Sequence, residues 1–386
     1  MAEVKHSPLH DRHVAAGAKF AEFGGWEMPL EYAGGGVLAE HHAVRDGVGI
    51  FDVSHLGKAV VAGPGAKDFL NHALTNDLDK IAPGKAQYSM LCTPEGGVVD
   101  DLICYLKGDD EVFVIPNAAN TAEVCRRLTE LAASSDEFSN VTITNRHDDY
   151  AVIAVQGRHA GEVLAAMGLP TEFDYMGFTV VDHGGAPQSG DNQSGDDQSG
   201  YTVCRTGYTG EVGYELVVPS AIAPAVWDEV MAAGEPFGIR PCGLGARDTL
   251  RTEMGYSLHG NDISVDINPV EAGLSWAIGW KKQADFPGRE ALQRIRDEGP
   301  ARRMRGLKAV GRGIARHGMA VVNEAGQPIG EVTSGTFSPT LRTGVALALI
   351  DAAIDLGDVV QVAVRNRTEA FQVVKPPFVT PGVRGA

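Results

Sequence analysis

Short runs of alternating apolar and polar residues, separated by turns, recur along the chain. Residues 86–92 and 98–106 are two such runs, and the segment 93–97 between them (TPEGG) predicts a β-hairpin. Residues 111–116 predict a further strand, and the continuous apolar run 151–155 predicts a buried one. This pattern indicates sheets rather than a helical bundle.

Helical patterns fall between these strands. Asn120 and Glu123 resemble a capping box, which predicts a helix that continues to about residue 133. Further helices are predicted at 158–167, 220–233 and 245–254, and glycines follow the first two as stop signals.

After Trp276 the pattern changes to short strands and turns. This change predicts a separate C-terminal β domain. The predicted strands are 321–323, 329–333, 344–350 and 359–364.

The segment 184–200 (GGAPQSGDNQSGDDQSG) is acidic and of low complexity. Such a segment buries too little apolar surface to order itself. Strand-like residues flank it at 178–181 and 201–205. We therefore predict a disordered insertion at a hairpin tip.

Composition narrows the classes of function. A chain of 386 residues predicts two or three domains. The formal net charge of −17 argues against partners that are polyanions, namely nucleic acid and anionic membrane surfaces. There is no apolar run of membrane-spanning length and no apolar leader. The five cysteines include no C-x-x-C pair, which favours a reduced, cytoplasmic protein.

One region departs from the acidic average. Residues 281–316 carry 11 lysines and arginines against four acids. This asymmetry predicts that an anionic partner docks there, with Arg289 and Arg294 as candidate contacts. The alternative is an ordinary solvated helix face at 289–298.

Asp100 and Asp101 lie in an otherwise apolar strand. Alternation places them on opposite faces, with Asp101 on the face of Val99, Ile103 and Tyr105. A buried charge is costly unless it is paired or has a chemical task. The alternative is that one aspartate caps the turn while the other is exposed on an edge strand.

Gly243 and Gly245 precede a helix whose N-terminus favours anions. Arg247 and Arg251 share one face of that helix, so either can clamp a carboxylate. The alternative is a structural ion pair. The glycine spacing does not fit a dinucleotide site.

His55 lies between Asp52 and Lys58, next to a serine. A serine–histidine–aspartate triad is not favoured, because no G-x-S-x-G elbow is present. We predict a structural histidine whose hydrogen bonds are satisfied. The 12 histidines show no familiar ligand spacing, so no metal site is expected.

The segment 205–216 (RTGYTGEVGYEL) combines glycines, tyrosines and glutamates. Glycine lets the backbone approach a ligand closely, and a carboxylate accepts paired N–H donors. The segment therefore predicts a cradle for a flat, polar small molecule.

Together these motifs resemble the aminomethyltransferase (T-protein) family of the glycine cleavage system. The resemblance runs through nearly the whole chain in order. It rests on SPLH at 7–10, GGWEMP at 24–29, FDVSH at 51–55, GGVVDD at 96–101, NAAN at 117–120, residues 205–216, GLGAR at 243–247, NPVEAGLSW at 268–276 and TSGTFSP at 333–339.

The resemblance implies an α+β fold, a three-domain cloverleaf around a central folate channel. It implies a ferredoxin-like α/β domain and a C-terminal domain like a β-barrel or jelly roll. The implied first folate-binding domain is discontinuous, at 1–50 and 145–275. The second, at 51–144, carries Asp101, and the β domain covers 276–386.

The resemblance also implies the reaction and its residues. The family transfers a methylene group from the aminomethyl-dihydrolipoyl arm of H-protein to tetrahydrofolate, without a metal or a flavin. Its essential aspartate falls on Asp101, its pterin-binding glutamate on Glu215 and its binding arginine on Arg247. The remaining implied folate contacts are Leu56, Tyr88, Asn117, Tyr175, Tyr208, Tyr256 and Arg384.

Two other functions are compatible with the superfamily. A flavin-dependent demethylating oxidase would need a flavin domain, for which the chain has no room. A non-catalytic folate-binding protein of the iron–sulfur assembly type would carry a Lys-Gly-Cys motif, whereas residues 285–292 here contain no cysteine. Leu56, where the family commonly has methionine, and Arg158, where it has proline, are tolerable departures.

Overall fold

A computed structural model describes residues 4–182, 200–364 and 367–383. The α-helices are α1 (His10–Ala15), α2 (Gly36–Asp46), α3 (Ala66–Ala73), α4 (Thr121–Ala133), α5 (Ala160–Ala166), α6 (Ala223–Gly234), α7 (Leu244–Met254) and α8 (Arg289–Glu298). The strands are β1 (Lys5–His6), β2 (Lys19–Phe23), β3 (Trp26–Glu31), β4 (Gly49–Asp52), β5 (Ala59–Ala62), β6 (Lys85–Cys92), β7 (Val98–Gly108), β8 (Glu111–Pro116), β9 (Thr142–Asn145), β10 (Tyr150–Gln156), β11 (Phe178–Asp182), β12 (Gly200–Cys204), β13 (Gly213–Pro219), β14 (Arg240–Pro241), β15 (Arg302–Ala309), β16 (Ala320–Val322), β17 (Pro328–Ser338), β18 (Thr343–Asp351), β19 (Val359–Val364) and β20 (Arg367–Val374).

The described strands form four sheets. A six-stranded sheet has the order β11-β12-β13-β10-β4-β14, and a five-stranded sheet has the order β6-β7-β8-β5-β9. A small sheet, β1-β3-β2, covers the N-terminal part, and β15 to β20 close into a barrel. The expected α+β class with a C-terminal β-barrel is therefore confirmed.

The six-stranded sheet is built around β10, whose apolar run is buried from Ala151 onward. Ile153 pairs with Leu216 on β13, and both side chains lie in a core that Trp227 of α6 covers. A strand buried on both faces reads as a continuous apolar run, which is why the sequence identified it.

The five-stranded sheet contains the predicted hairpin. Gly96 occupies its turn at φ +91°, a conformation that favours glycine. The register between β6 and β7 shifts at this end, where Cys92 lies opposite Val98 but Leu91 lies opposite Asp100. Such bulges re-aim side chains locally, and here the bulge directly precedes the paired aspartates.

Helix α7 is tied to helix α2 and to the barrel domain through two buried charges, those of Arg251 and Glu253. Arg251 lies 2.8 Å from Asp262 and donates at 2.8 Å to Ser334 on barrel strand β17. Glu253 lies 2.9 Å from Arg45 of α2 and accepts a hydrogen bond from the hydroxyl of Thr340, also at 2.9 Å. The barrel is thus held against α7 and α2 by paired, hydrogen-bonded ions.

A buried lysine fixes the segment that leads into the barrel domain. The Lys282 ammonium donates to the backbone oxygens of Asn71, Leu74 and Asn76. An ammonium has three protons to donate, so all three are used here, and they hold the segment against α3 and the residues that follow it.

Two details of the helices differ from the sequence predictions. Helix α4 begins at Thr121, as expected, but the side chain of Asn120 makes no capping bond, so the capping box is wrong. The Asn120 amide instead donates at 2.7 Å to Asp100. Gly234 lies inside α6, and the backbone turns left-handed only at Gly238.

Two sequence predictions fall outside the described residues. The insertion predicted at 184–200 lies outside them except for Gly200, which begins β12 opposite Asp182. Arg384, the implied C-terminal folate contact, also lies outside them.

We expect Glu253→Gln to lower the midpoint of thermal unfolding by about 4 °C at pH 7, the effect of losing roughly 3 kcal/mol from a buried ion network. Burial favours the protonated form of Glu253, but hydrogen bonds from His41 and Ser338 and the charge of Arg45 lower its pKa to about 2. Folding therefore gains from the ionised form above the ordinary pKa of 4.5 and loses this gain as the pH falls toward 2.

The difference in midpoint between Glu253→Gln and wild type should be constant from pH 6 to pH 8 and should shrink below about pH 4.5. Glu298→Gln, at the exposed end of α8, is the matched control. Equal midpoints for both variants at pH 7 would show that the network contributes nothing.

Candidate active site

Asp100 and Asp101 meet at one amide. Alternation along β7 was expected to separate their carboxylates, but Asn117 lies just past the end of β8 and its Nδ2 reaches both. It is 2.8 Å from Asp100 Oδ1 and 2.7 Å from Asp101 Oδ1. The two acids therefore form one hydrogen-bonded unit rather than a turn cap and an exposed edge residue.

The environment of this pair favours protonation. Burial raises the pKa of both Asp100 and Asp101, and the charge of Asp101 raises that of Asp100 further. Hydrogen bonds from Asn117 and Asn120 oppose the shift at Asp100. A carboxyl pair held in this way can take up or release a proton closer to neutral pH than a free aspartate can.

Behind the pair, Asn120 connects Asp100 to His259. Its Nδ2 donates to Asp100 and lies 3.0 Å from His259 Nδ1, while His259 Nε2 lies 3.2 Å from the backbone oxygen of Val98. These contacts fit a histidine that accepts at Nδ1 and donates at Nε2. Sequence reasoning missed His259, which lies 139 residues from Asn120, because no local motif marks it.

Asp101 has a second donor on the neighbouring strand. Tyr88 on β6 donates its hydroxyl to Asp101 Oδ2 at 3.0 Å. Burial raises the pKa of Tyr88 well above its ordinary value, so the phenol keeps the proton it donates. The Tyr88 ring stacks on Trp276 with centroids 5.4 Å apart.

The segment 205–216 folds around Gln156, whose Nε2 donates to the backbone oxygens of Thr206 and Tyr214. A Cβ added at Gly207 would lie 2.1 Å from Gln156 Oε1, and one at Gly213 would lie 2.3 Å from Nε2. Two of the glycines singled out in the sequence are thus required by close packing against this buried amide.

Glu215 lies on β13, opposite Ala154 of β10 and Cys204 of β12. The hydroxyl of Thr206 donates to Glu215 Oε2. This contact fixes the carboxylate and leaves Oε1 without a partner among the described contacts. Thr206 is a second residue that sequence reasoning missed.

Arg247 faces this region from α7. Its guanidinium lies 4.6 Å from the centroid of the Tyr208 ring, and that ring also stacks on Tyr256 at 5.6 Å. Burial lowers the pKa of Arg247, and the charge of Glu215 opposes the shift. Because no ion pair engages Arg247 within the described ranges, the guanidinium can receive an anion.

The two arginines of α7 therefore have different roles. Arg251 is committed to Asp248 and Asp262, which is the structural pair that the sequence left open as an alternative. The N-terminus of α7 does hold an anion, as its sequence predicted, but the anion belongs to the chain itself: the carboxylate of Glu40 accepts the N–H of Gly243 at 2.9 Å.

The direct contacts of the predicted residues form two groups. Tyr88 and Asn117 contact Asp101, and Arg247 and Tyr256 contact the ring of Tyr208. Burial raises the pKa of Tyr208, and the charge of Asp101 adds to this shift. Burial also raises the pKa of Tyr256, and Tyr175 adds to that shift.

His55 and Leu56 are two more of the residues that the sequence singled out. Leu56 packs against the core between the two large sheets. His55 is buried, and its pKa falls to about 3 because of burial and the charge of Arg247. Its Nδ1 has no hydrogen-bond partner, so the prediction of a satisfied histidine is wrong.

His6, His10 and Glu27 are a potential set of metal ligands among the described residues. One nitrogen or oxygen atom of each side chain lies within 4.8 Å of those of the other two. The two imidazole rings stack 4.0 Å apart and are tilted by only 9°. A ring nitrogen binds a metal in the plane of its ring, and two nearly parallel planes at this spacing do not share such a point. We assign no metal here, and the expectation of a metal-free site stays a prediction.

The basic region predicted as a docking patch is only partly available. Arg289 donates to the backbone oxygens of Ala284, Trp280 and Lys282, so its guanidinium is structural and is not a free contact. Arg294 is exposed on α8. No helix within the described ranges is long and apolar enough to cross a membrane.

Comparison with known proteins agrees with this architecture. The family model of the GCVT N-terminal domain matches residues 9–282, and that of the glycine cleavage T-protein C-terminal barrel domain matches residues 302–380. The aminomethyltransferase of Parafrankia sp. (strain EAN1pec) is 55% identical over 384 residues and 100% of both chains. That of Mycobacterium tuberculosis (strain ATCC 25618 / H37Rv) is 54% identical over 98% of this chain and 97% of its own.

A solved structure extends the comparison to the fold. The crystal structure of glycine cleavage system aminomethyltransferase T from Bartonella henselae matches with a TM-score of 0.88 and 34% identity. The match covers 98% of this chain and 99% of that one. The family models, the relatives and the solved structure agree over nearly the full length, and the chain belongs to the glycine cleavage T-protein family.

Proposed function

We propose that this chain is the aminomethyltransferase of a glycine cleavage system. It transfers methylene from the aminomethyl-dihydrolipoyl arm of H-protein to tetrahydrofolate. The observation that carries the proposal is the buried Asp100–Asp101 pair, held by Asn117 and Tyr88 beside the Glu215–Arg247 region, in a chain that matches T-proteins over its full length. The curated relatives are named as aminomethyltransferases, which favours an enzyme over a non-catalytic folate-binding protein of the iron–sulfur assembly type.

The proposed reaction moves one CH2 group and two protons in balance. The methylene carbon loses its bonds to the arm sulfur and to the amine nitrogen. It gains bonds to N5 and N10 of tetrahydrofolate. The two protons released by N5 and N10 are matched by one that the thiol gains and one that completes ammonia, while the two methylene hydrogens travel with the carbon.

Asp101 is the residue we place at the reacting nitrogens. Its carboxylate is held in place by Tyr88 and Asn117, and its pKa is raised by burial. It hydrogen-bonds the folate amine near N5 and N10 and orients it for attack on the methylene. The raised pKa also suits it to accept a proton during the transfer.

Glu215 and Arg247 are placed at the other end of the ligand. The fixed carboxylate of Glu215 accepts the ring N–H and the exocyclic amine of the pterin. Arg247, held over Tyr208, meets an electronegative group of the ligand. We place the remaining contacts at Leu56, Tyr88, Asn117, Tyr175, Tyr208 and Tyr256, with Arg384 as a contact from beyond the described residues.

The finer details of assembly are also proposals. Lipoylated H-protein is the partner, tetrahydrofolate is the co-substrate, and neither a metal nor a flavin takes part. We propose domains at 1–50 with 145–275, 51–144 and 276–386. Two strands cross these boundaries by one or two residues: β4 continues to Asp52 in the six-stranded sheet, and β9 continues to Asn145 in the five-stranded sheet. A cytoplasmic location fits the reduced cysteines.

The function is tested with purified protein, aminomethyl-loaded lipoylated H-protein and tetrahydrofolate. We expect equal amounts of ammonia and 5,10-methylenetetrahydrofolate, because each transferred carbon releases one amine. Non-lipoylated H-protein is the control and should give neither product. Absence of both products from the complete mixture would refute the proposed function.

Asp101→Asn should lower kcat about 10²–10⁴-fold, because it removes the carboxylate while keeping the shape. The Kd for tetrahydrofolate, measured by calorimetry, should change less than tenfold. Asp228→Asn, an exposed aspartate that pairs with Arg12, is the control and should keep wild-type turnover. Undiminished kcat in Asp101→Asn would show that the carboxylate is not needed.

Glu215→Gln should raise the Kd for tetrahydrofolate about 10–100-fold, because charge-assisted hydrogen bonds to the pterin are weakened. Glu229→Gln on α6 is the control, for which no change in Kd is expected. A Glu215→Gln protein that binds tetrahydrofolate as tightly as wild type would remove Glu215 from pterin recognition.

A further inference from the structure

Trp276 is a large apolar side chain in an unusual position. It is 66% exposed, an exposure that only Val310 equals among the exposed large hydrophobic residues of the described ranges. An indole that stays exposed does not contribute the large folding free energy that burial of its apolar area would provide. A single exposed apolar side chain is common on protein surfaces, so it is the position of this indole, and not its exposure alone, that carries the inference.

The backbone that carries this indole is held firmly. Ala277 donates its N–H to Leu274, and its carbonyl accepts the hydroxyl of Thr75 at 2.9 Å. Trp280 Nε1 donates to the carbonyl of Ser275 at 3.0 Å. The exposed ring therefore stands on a fixed turn, at residues 275–277, rather than on a loose loop.

The ring also lies next to the catalytic group. Its inner neighbour is Tyr88, stacked at 5.4 Å with 29° between the planes, and the Tyr88 hydroxyl donates to Asp101 at 3.0 Å. Trp276 thus lies one side chain away from Asp101 and still reaches solvent. A group that enters from solvent toward Asp101 on this side passes the indole.

The apolar cluster beneath the turn explains how this position arises. Residues 263–280 pack onto β6 and β7 through Ile263, Ala277 and Ile278, which lie against Met90 and Val98. The segment thereby covers the end of the sheet that carries Asp101. Trp276 is the large apolar side chain of the turn that stays outside that cluster.

We propose that Trp276 is a binding site for the aminomethyl-dihydrolipoyl arm, on which the arm lies as it delivers its methylene group to Asp101. The inference rests on the proposed function and adds a subsite to it. The arm is a flexible aliphatic chain that ends in two sulfurs. An exposed indole suits both parts, since it offers apolar area to the chain and a favourable aromatic contact to sulfur.

The test separates the arm from the body of H-protein. With aminomethyl-loaded H-protein, Trp276→Ala should raise KM for H-protein about tenfold, the size of effect expected for a buried aromatic contact. KM for tetrahydrofolate should stay within twofold. Trp276→Phe, which keeps a flat ring, should recover at least half of the loss. Leu356→Ala, an exposed residue of the barrel domain, should match wild type.

A second measurement uses H-protein without its lipoyl group. Its Kd, measured by calorimetry, should be the same for wild type and Trp276→Ala, because the body of H-protein does not contact the ring. A Kd that rises in Trp276→Ala would place the ring against the body and overturn the proposal. A fall in kcat with unchanged KM would also overturn it, because Trp276 would then only position Tyr88.

The failure of the inference is distinguishable from failure of the proposed function. If wild type does not turn over loaded H-protein at all, the function is wrong and the variants carry no information on kinetics. If wild type turns over and Trp276→Ala keeps its KM, the function stands and the subsite does not exist.

Discussion

The ion network of α7 is the interaction on which the arrangement of the site depends. Glu253 binds Arg45, which in turn lies 2.8 Å from Glu211 in the segment that leads to Glu215. Arg251, two residues before Glu253, ties the same helix to the barrel through Ser334. Paired and fully hydrogen-bonded ions tolerate burial, whereas one left alone costs several kcal/mol. The helix is therefore fixed on both sides, and Arg247, one turn earlier, is presented to the ligand region.

A second buried charge cluster performs a different task. Asp100 and Asp101 are not neutralised by a cation; they share the amide of Asn117 and are backed by Asn120 and Tyr88. Such an arrangement holds the carboxylates in place without pairing off their charge, which keeps their pKa raised. Arg251 and Glu253 differ from this pair, because each lies against an opposite charge and holds α7 in place. Asp100 and Asp101 are the acids that we propose face the substrates.

Local patterns were sufficient for much of the fold. The hairpin at β6 and β7, the buried strand β10 and four of the six barrel strands, β16 to β19, follow from periodicity and turn residues alone. Individual side chains were harder to predict, because their partners are distant in sequence. Asn120 looked like a helix cap but bonds Asp100, and Glu40 fills the N-terminus of α7 from 203 residues away. Arg289 belongs to an apparent basic patch but satisfies three carbonyls. For the same reason, the sequence could not reveal His259, Thr206 or the exposure of Trp276.

We propose that Asp101 meets the reacting nitrogens of a folate whose pterin is recognised by Glu215. A crystal structure of the protein with tetrahydrofolate would show both contacts at once. We expect the pterin amine and ring N–H on the Glu215 carboxylate, with Asp101 within hydrogen-bond distance of N5 or N10. A folate bound with its pterin away from Glu215, or with both nitrogens out of reach of Asp101, would contradict it.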